Sequence, residues 1–411
     1  MIDHRYRDLA GAAEEAARPP DFASVRRRAG RLRNRRRAGG ALAAAVLLAS
    51  GTAGVMTLRP SGQTWEAAAG GRRVLEVGAA DAEHLYAIVA DCDDCPDELL
   101  ASSDGGRTWV TRERPEGVRG QSDLTVLGPR VLFESRVVGI RAAREGQKET
   151  DQDSGRRVSV DGGRAWREVT VSDAPVASVA PDTRAIDCRV VGGTAMFVEE
   201  CPVYAVDPAS GRFAPLANQP PLAFAQVVDT PVEAGLWAAG ADPATGKAAV
   251  AVSHDRGRNW DAFTFDAEPT AVERRKEPPA TFLSVRAEVA TTDGNLAYAT
   301  FIGPGPVVVY RSADGGRSWH LTHPSRPLAA PLAGPTSFVT ADGAHVLPAL
   351  NGSGFQYLAS PDGRSYTRVD LAGLPAFGNS PRAVTKRFFL FQGLDSVYTS
   401  TDGRRWQQRL G

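Results

Sequence analysis

From residue 69 to the C-terminus the apolar residues come in short runs cut by Gly, Asp and Pro, with no sustained 3.6-residue period. Such runs predict strands, and they gather in groups of four. The first group reads 72–77, 84–90, 98–103 and 108–113, and the second 124–128, 130–138, 157–160 and 165–170. The third reads 176–180, 190–200, 202–207 and a weak strand from Arg212. The fourth reads 223–229, 235–242, 248–253 and 259–265, and the fifth 281–289, 296–303, 306–312 and 318–322. The sixth reads 336–341, 345–350, 354–360 and 366–370, and the seventh 382–387, 388–392, 396–400 and 405–410. Polar or charged insertions fall at 144–156 in the second group and 268–279 before the fifth.

Between the last two runs of each group stands one recurring stretch. Ser102, Asp104, Gly106 and Trp109 mark it first (SSDGGRTW). It returns with Ser159, Asp161, Gly163 and Trp166, with Ser253, Asp255, Gly257 and Trp260, and with Ser312, Asp314, Gly316 and Trp319. Shorter copies carry Ser360, Asp362 and Tyr366, and Ser400, Asp402 and Trp406. A worn copy holds Asp207 in VDPASGRF. Successive Asp positions are 57, 46, 48, 59, 48 and 40 residues apart. A repeat of that size is one supersecondary unit that stacks on its neighbours. Its chemistry is that of a tight hairpin. Ser and Asp oxygens accept backbone N–H groups, Gly takes a positive φ, and Trp opens the outgoing strand as a packing element. Counting Asp207 gives seven units of about 50 residues, the size of propeller blades; without it the count is six.

The match S-x-D-x-G-x-[ST]-W resembles the Asp-box, or BNR repeat. In that family the box sits between the third and fourth strands of a β-propeller blade. The resemblance implies an all-β, seven-bladed β-propeller over 69–411. The family spans sialidases, sortilin-type receptors, a photosystem II assembly factor and some endoglucanases, so it implies a scaffold more than an activity. A sialidase-like site would need three Arg on a sugar carboxylate, a Tyr–Glu nucleophile pair and an Asp acid. No Arg-Ile-Pro type motif follows Trp65, and RRVLEV is the nearest stretch. Endoglucanases of this kind enclose their cleft with two propellers, and one fits here.

The N-terminus is different. Residues 1–37 hold eleven Arg and five acids, while the rest of this formally neutral chain holds 37 basic and 43 acidic residues. Residues 38–58 carry no charge. As a helix they would span about 31 Å, against about 30 Å of bilayer core. The expected order is a basic cytoplasmic segment 1–37, a transmembrane signal anchor 38–58, a linker 59–68 and the propeller outside, with the Arg block held in the cytoplasm. A secretory signal that is cleaved is the alternative. Residues 62–65 (Gly-Gln-Thr-Trp) resemble half a box and suggest a strand that fastens the ring.

All four Cys lie beyond the apolar stretch, where disulfides persist. Of three possible pairings the local one is expected, Cys92 with Cys95 and Cys188 with Cys201. Cys-x-x-Cys as a redox or zinc motif lacks a βαβ context and further ligands. The six His are dispersed, though His320 and His323 could be neighbours. Acids at Asp91, Asp93, Asp94, Asp97 and Glu98, and at Glu149, Asp151 and Asp153, suit either calcium or solvated loops. There is no phosphate-binding Gly loop and no Ser nucleophile elbow. An Arg follows each box Gly (Arg107, Arg164, Arg212, Arg258, Arg317, Arg364, Arg404), which suits an anionic surface or merely reflects an Arg-biased chain. No catalytic residue, cofactor or metal site is assigned. The expectation is a membrane-anchored, non-catalytic recognition module for an extracellular protein or glycan, with no nucleic acid. A sialidase-like glycoside hydrolase and an envelope-complex assembly factor are the alternatives.

Overall fold

The computed structural model describes residues 72–92, 95–115, 122–136, 155–192, 201–266, 287–301, 307–326, 328, 332, 336–350, 355–375 and 378–411. The expected anchor, the linker, the half-box at 62–65 and both insertions lie wholly or largely outside these residues. No helix among the described residues is long and apolar enough to cross a membrane.

Seven antiparallel sheets form, each from consecutive strands. Blade one comprises β1 (Arg73–Ala79), β2 (Leu85–Ala90), β3 (Glu98–Ser102) and β4 (Val110–Arg112). Blade two comprises β5 (Ser122–Val126), β6 (Leu132–Arg136), β7 (Arg157–Ser159) and β8 (Arg167–Glu168). Blade three has β9 (Ile186–Asp187), β10 (Val203–Val206) and β11 (Phe213–Pro215), with a helical turn α1 (Cys188–Gly192) after β9. Blade four has β12 (Ala223–Val227), β13 (Leu236–Ala241), β14 (Ala248–Ser253) and β15 (Asp261–Thr264). Blade five has β16 (Glu288–Thr291), β17 (Ala297–Phe301), β18 (Val307–Ser312) and β19 (His320–Arg326). Blade six has β20 (Phe338–Val339), β21 (His345–Leu350), β22 (Phe355–Ser360) and β23 (Thr367–Val369). Blade seven has β24 (Arg382–Thr385), β25 (Phe388–Gln392), β26 (Val397–Ser400) and β27 (Gln407–Leu410). The fold is an all-β seven-bladed propeller.

Burial follows radial position. The middle strands β2 and β14 are buried at every residue, because a neighbouring blade covers each face. The outer strands β4, β8 and β23 are largely exposed. A separate apolar cluster fills each of the seven seams. The aromatic after each turn lands in the seam shared with the preceding blade: Trp109, Trp166, Phe213, Trp260, Trp319, Tyr366 and Trp406 in turn. Among the described residues the ring closes by side-chain packing. Val74, Val77 and Trp109 of blade one pack on Val384, Leu390 and Val397 of blade seven. Trp109 Nε1 also donates to the Arg409 carbonyl at 3.2 Å.

Blade three departs from the expected four strands. Residues 176–180 are not an inner strand. Val171 and Val176 instead bridge in parallel to Phe213 and Leu216 at the outer edge, where the Val176 N–H donates to the Pro215 carbonyl at 2.9 Å. The Val179 N–H is likewise taken outside a sheet, by the Arg256 carbonyl at 2.9 Å. The expected strand 190–200 begins as α1, and residues 193–200 lie outside those described. The disulfides pair locally, Cys92–Cys95 and Cys188–Cys201.

Candidate functional site

Six Ser-x-Asp turns sit between the third and fourth strands of six blades, and the worn turn at Asp207 joins β10 to β11 in blade three, so their side chains do not converge. Each closes on itself. The Ser312 hydroxyl donates to Asp314 Oδ1 at 2.8 Å and accepts the Gly316 N–H at 2.9 Å. Asp314 Oδ1 accepts the Ser318 N–H at 3.0 Å and Oδ2 accepts the Ser318 hydroxyl at 2.5 Å. The pattern around Asp104, Asp161 and Asp255 is the same in outline. Ser360 with Asp362, and Ser400 with Asp402, reproduce it one residue tighter. Gly315 and Gly316 hold φ of 77° and 85°, and a Cβ on Gly316 would stand 2.6 Å from the Trp237 ring. The worn turn differs. Asp207 bonds to the Ser210 hydroxyl and to the Ala209 N–H at 3.1 Å, and Phe213 supplies the seam aromatic against Phe133.

The post-glycine arginines are drawn into these turns. Arg107, Arg164, Arg258 and Arg317 each donate to the carbonyl of their own Asp, and Arg404 pairs with Asp342. The acids around Cys92–Cys95 are likewise taken up: Asp91 and Glu98 pair with Arg72, and Asp97 with Arg114. Asp93, Asp94 and the 149–153 set lie outside the described residues. No three His, Cys, Asp or Glu gather into a metal-binding group among the described residues. His320 is exposed while His323 is buried with its Nδ1 3.1 Å from the Arg364 carbonyl, so the two do not act together. His345 is fully buried, stacked on Tyr298 and 2.6 Å from the Tyr366 hydroxyl, and burial brings its pKa down to about 3.

The chemistry that the turns lack is found at the axis. Innermost strands β1, β5, β12 and β24 face a cavity of about 420 Å³. Blade three joins them between β5 and β12 through Ile186 and Asp187 of β9, with Val179, Thr183 and Arg184 ahead of that strand. Apolar walls come from Leu124, Val126, Val179, Ile186, Val227 and Leu236. Seven charged residues join them: Glu76, Asp187, Asp229, Glu233, Arg184, Arg256 and Arg382.

These charges replace hydrogen bonds that a neighbouring strand would otherwise supply. An innermost strand has one edge without a ladder partner, and its polar groups need acceptors and donors from side chains. Glu76 of blade one accepts the Leu124 N–H of blade two at 2.6 Å. Asp187 of blade three accepts the Val227 N–H of blade four at 3.2 Å. Arg382 of blade seven donates to the Val77 carbonyl of blade one at 2.5 Å. Asp229 then bridges two cations, bonding to Arg184 and lying 3.7 Å from Arg382. Two guanidinium nitrogens of Arg184, Nε and Nη2, are buried with no hydrogen-bond partner. Across the axis, Glu233 of blade four accepts the Lys386 N–H of blade seven at 2.7 Å, and Lys386 reaches Asp293 of blade five at 3.4 Å.

Two features mark the cavity as more than packing. Burial pushes the Glu76 pKa up to about 7, against the Leu124 hydrogen bond, with Asp123 adding to the rise. Arg256 occupies the slot that Gly105, Gly162 and Gly315 fill in the other full turns, at φ 63°. A left-handed Arg is strained by about 1 kcal/mol or more. Its carbonyl accepts the Val179 N–H at 2.9 Å and its side chain is exposed at the cavity.

Sequence reasoning missed these residues. The available signal was a charge inside an otherwise apolar innermost strand, as at Glu76 in RVLEVGA.

No known protein family matches the chain, and no curated protein does. Among solved structures the chain is similar to a GH74 xyloglucanase from Xanthomonas campestris, at 16% identity and a TM-score of 0.33, over 82% of this chain and 47% of that one. It is similar to a puromycin-hydrolysing peptidase from Mycobacterium tuberculosis, at 14% identity and a TM-score of 0.41, over 81% and 52%. A Hadza microbial sialidase matches at 14% identity and a TM-score of 0.33, over 82% and 65%. The chain spans about half the length of the first two.

Proposed function

We propose that this protein is a membrane-anchored, extracytoplasmic propeller of Asp-box type that recognises a ligand without transforming it, and that the axial cavity is its recognition site. The observation that carries this reading is the use already made of the axial charges. Arg184 and Arg382 are neutralised by Asp229, and Glu76 and Asp187 cap backbone N–H groups. No Tyr lines the cavity among the described residues, so the Tyr–Glu pair of a sialidase-like site is not assembled there. What is left is a concave pocket in which apolar walls alternate with charged groups already fixed by their partners, a form suited to binding. The seven turns form a scaffold around it. Two disulfides support an oxidising compartment, in keeping with the propeller outside the membrane.

Three arginines on one axis, Arg184, Arg256 and Arg382, favour sialidase chemistry as the second reading. One experiment separates the two. The full chain is incubated with a fluorogenic sialoside, and in parallel its retention on immobilised envelope glycans and proteins is measured. Recognition predicts background hydrolysis and a retention that Val228→Trp, a half-buried lining residue enlarged into the cavity, abolishes. Turnover that falls with Arg382→Ala would replace this proposal with the enzymatic one. Topology is tested on intact cells, where added protease should digest the propeller and spare residues 1–37.

A further inference from the structure

The axial cavity also has a chemical preference. Glu76 lines it with one carboxyl oxygen on the Leu124 N–H, while the other has no hydrogen-bond partner among the described residues. The groups acting on that carboxyl are Asp123 of β5, Glu134 of β6 and Arg382 of β24. Glu134 is tied to Arg114, and Arg382 is divided between the Val77 carbonyl and Asp229. The lining holds four acids against three arginines, an excess of one negative charge with all ionised. Two of those arginines already face Asp229, and the unpaired nitrogens of Arg184 are sealed from solvent. Arg256 is exposed at the cavity, where water screens it.

We propose that the axial cavity takes a small organic cation, an amine with an apolar body, its ammonium on the free oxygen of Glu76 and its body against Leu124, Val126, Ile186 and Val227. This rests on the reading of the cavity as the recognition site. An ammonium supplies the donor that the free oxygen lacks. It also cancels the excess charge of the lining, and the apolar walls cover a hydrocarbon or aryl group without further polar contacts. A neutral alcohol makes a weaker hydrogen bond to the same oxygen. A carboxylate meets Glu76 as a like charge.

The test uses three probes with one body and three charges: 3-(4-fluorophenyl)propylamine, the corresponding propanol and the corresponding propionate. Binding to the full chain in detergent is followed by fluorine NMR line broadening. Glu76→Gln under the same conditions accounts for partition into micelles and keeps an acceptor for the Leu124 N–H. At pH 8 the amine should bind at least about tenfold more tightly than the alcohol, the scale of a charge-assisted hydrogen bond. Glu76→Gln should erase that advantage, the amine losing far more affinity than the alcohol. Lowering the pH from 8 to 6 should shrink it, since Glu76 gains its proton near pH 7 and an ammonium needs the ionised carboxylate. A propionate that binds as tightly as the amine overturns the proposal and leaves the cavity a binding site that reads anions through its arginines. An amine preference that survives Glu76→Gln also overturns it. Failure of all three probes removes both the cation and the cavity as the site. The charge series on the unaltered chain decides the matter even if the variant does not fold.

Discussion

Asp314 on the rim and Glu76 on the axis do one job with opposite electrostatic results. Each is a carboxylate that accepts a backbone N–H that no strand ladder takes up. On the rim the Ser318 hydroxyl and N–H and the Ser312 hydroxyl bring the Asp314 pKa down to about 2. On the axis burial dominates, the Leu124 N–H and Arg382 offset it only in part, and the Glu76 pKa rises to about 7. The number of donors and access to water decide the sign, not the residue type. A rim carboxylate with several donors is a stabilising turn element. A buried carboxylate with one donor costs stability at neutral pH and keeps an oxygen free for something else. Loss of stability at a position that stays in the protein is a mark of function more than of folding.

The largest test of this contrast lies in the scaffold. Trp319 is buried edge-on against Trp237 and Phe265 at 6.2 and 5.5 Å, and its Nε1 donates to the Gly316 carbonyl. Trp319→Ala should destabilise the propeller by about 3–5 kcal/mol in denaturant unfolding. A loss below about 1 kcal/mol would show that the seam aromatics are ornaments of the turn and not the packing that holds the ring.

Glu76→Gln comes next and has the opposite sign. The folded carboxyl holds its proton to about pH 7, whereas an unfolded one releases it near 4.5. Stability from this group is therefore full below about pH 4.5 and falls as pH rises to 7. The variant should match the parent at pH 4.5 and exceed it by about 2 kcal/mol at pH 8, because the amide keeps the hydrogen bond without the buried charge. The rim carboxylates work the other way. Their folded pKa near 2 against an ordinary 3.8 means stability present above pH 4 and lost as pH falls towards 2. Unfolding curves from pH 2 to 8 on the parent and Glu76→Gln separate the two windows.

The two regions also differ in how far the sequence discloses them. The turns are legible because every partner lies within eight residues. Ser, Asp, Gly and Trp at fixed spacing state both the hydrogen bonds and the seam contact. The blade count was legible only as six or seven, because Asp207 and Phe213 keep just the hairpin and the aromatic; the seven sheets decide for seven. The axis is not legible, because its partners are remote. Glu76 meets Leu124 48 residues on, Arg184 meets Asp229 after 45, and Arg382 reaches Val77 across 305. Blade three was misleading for a related reason. Val176 to Ala180 is a short, mostly apolar run between prolines, as a strand would be, and only the bridge to Leu216 reveals that it runs outside the sheet.

Ser312→Ala is a smaller change. It removes the acceptor for the Gly316 N–H and one donor to Asp314 within a buried turn. A loss of about 1–2 kcal/mol is expected, together with a rise in the Asp314 pKa that carboxyl NMR would follow. Glu76→Gln should leave that resonance unmoved, which keeps rim and axis separable.

Arg256 belongs to both regions and gives the smallest and most discriminating change. It stands in a rim turn at a position where three sister turns use Gly, yet its side chain lies at the cavity. Arg256→Gly relieves the left-handed strain but frees the unfolded chain, so a net gain of about 0.5–1 kcal/mol is expected in thermal unfolding. If the turn alone mattered, that gain would come with no other effect. If the cavity explains the strain, the gain is accompanied by altered binding of the charged probes: the propionate weakens, and the amine holds or improves as a like charge leaves the lining. A variant that is neither more stable nor changed in its binding would mean that Arg256 rests in the turn without strain and without a role at the axis.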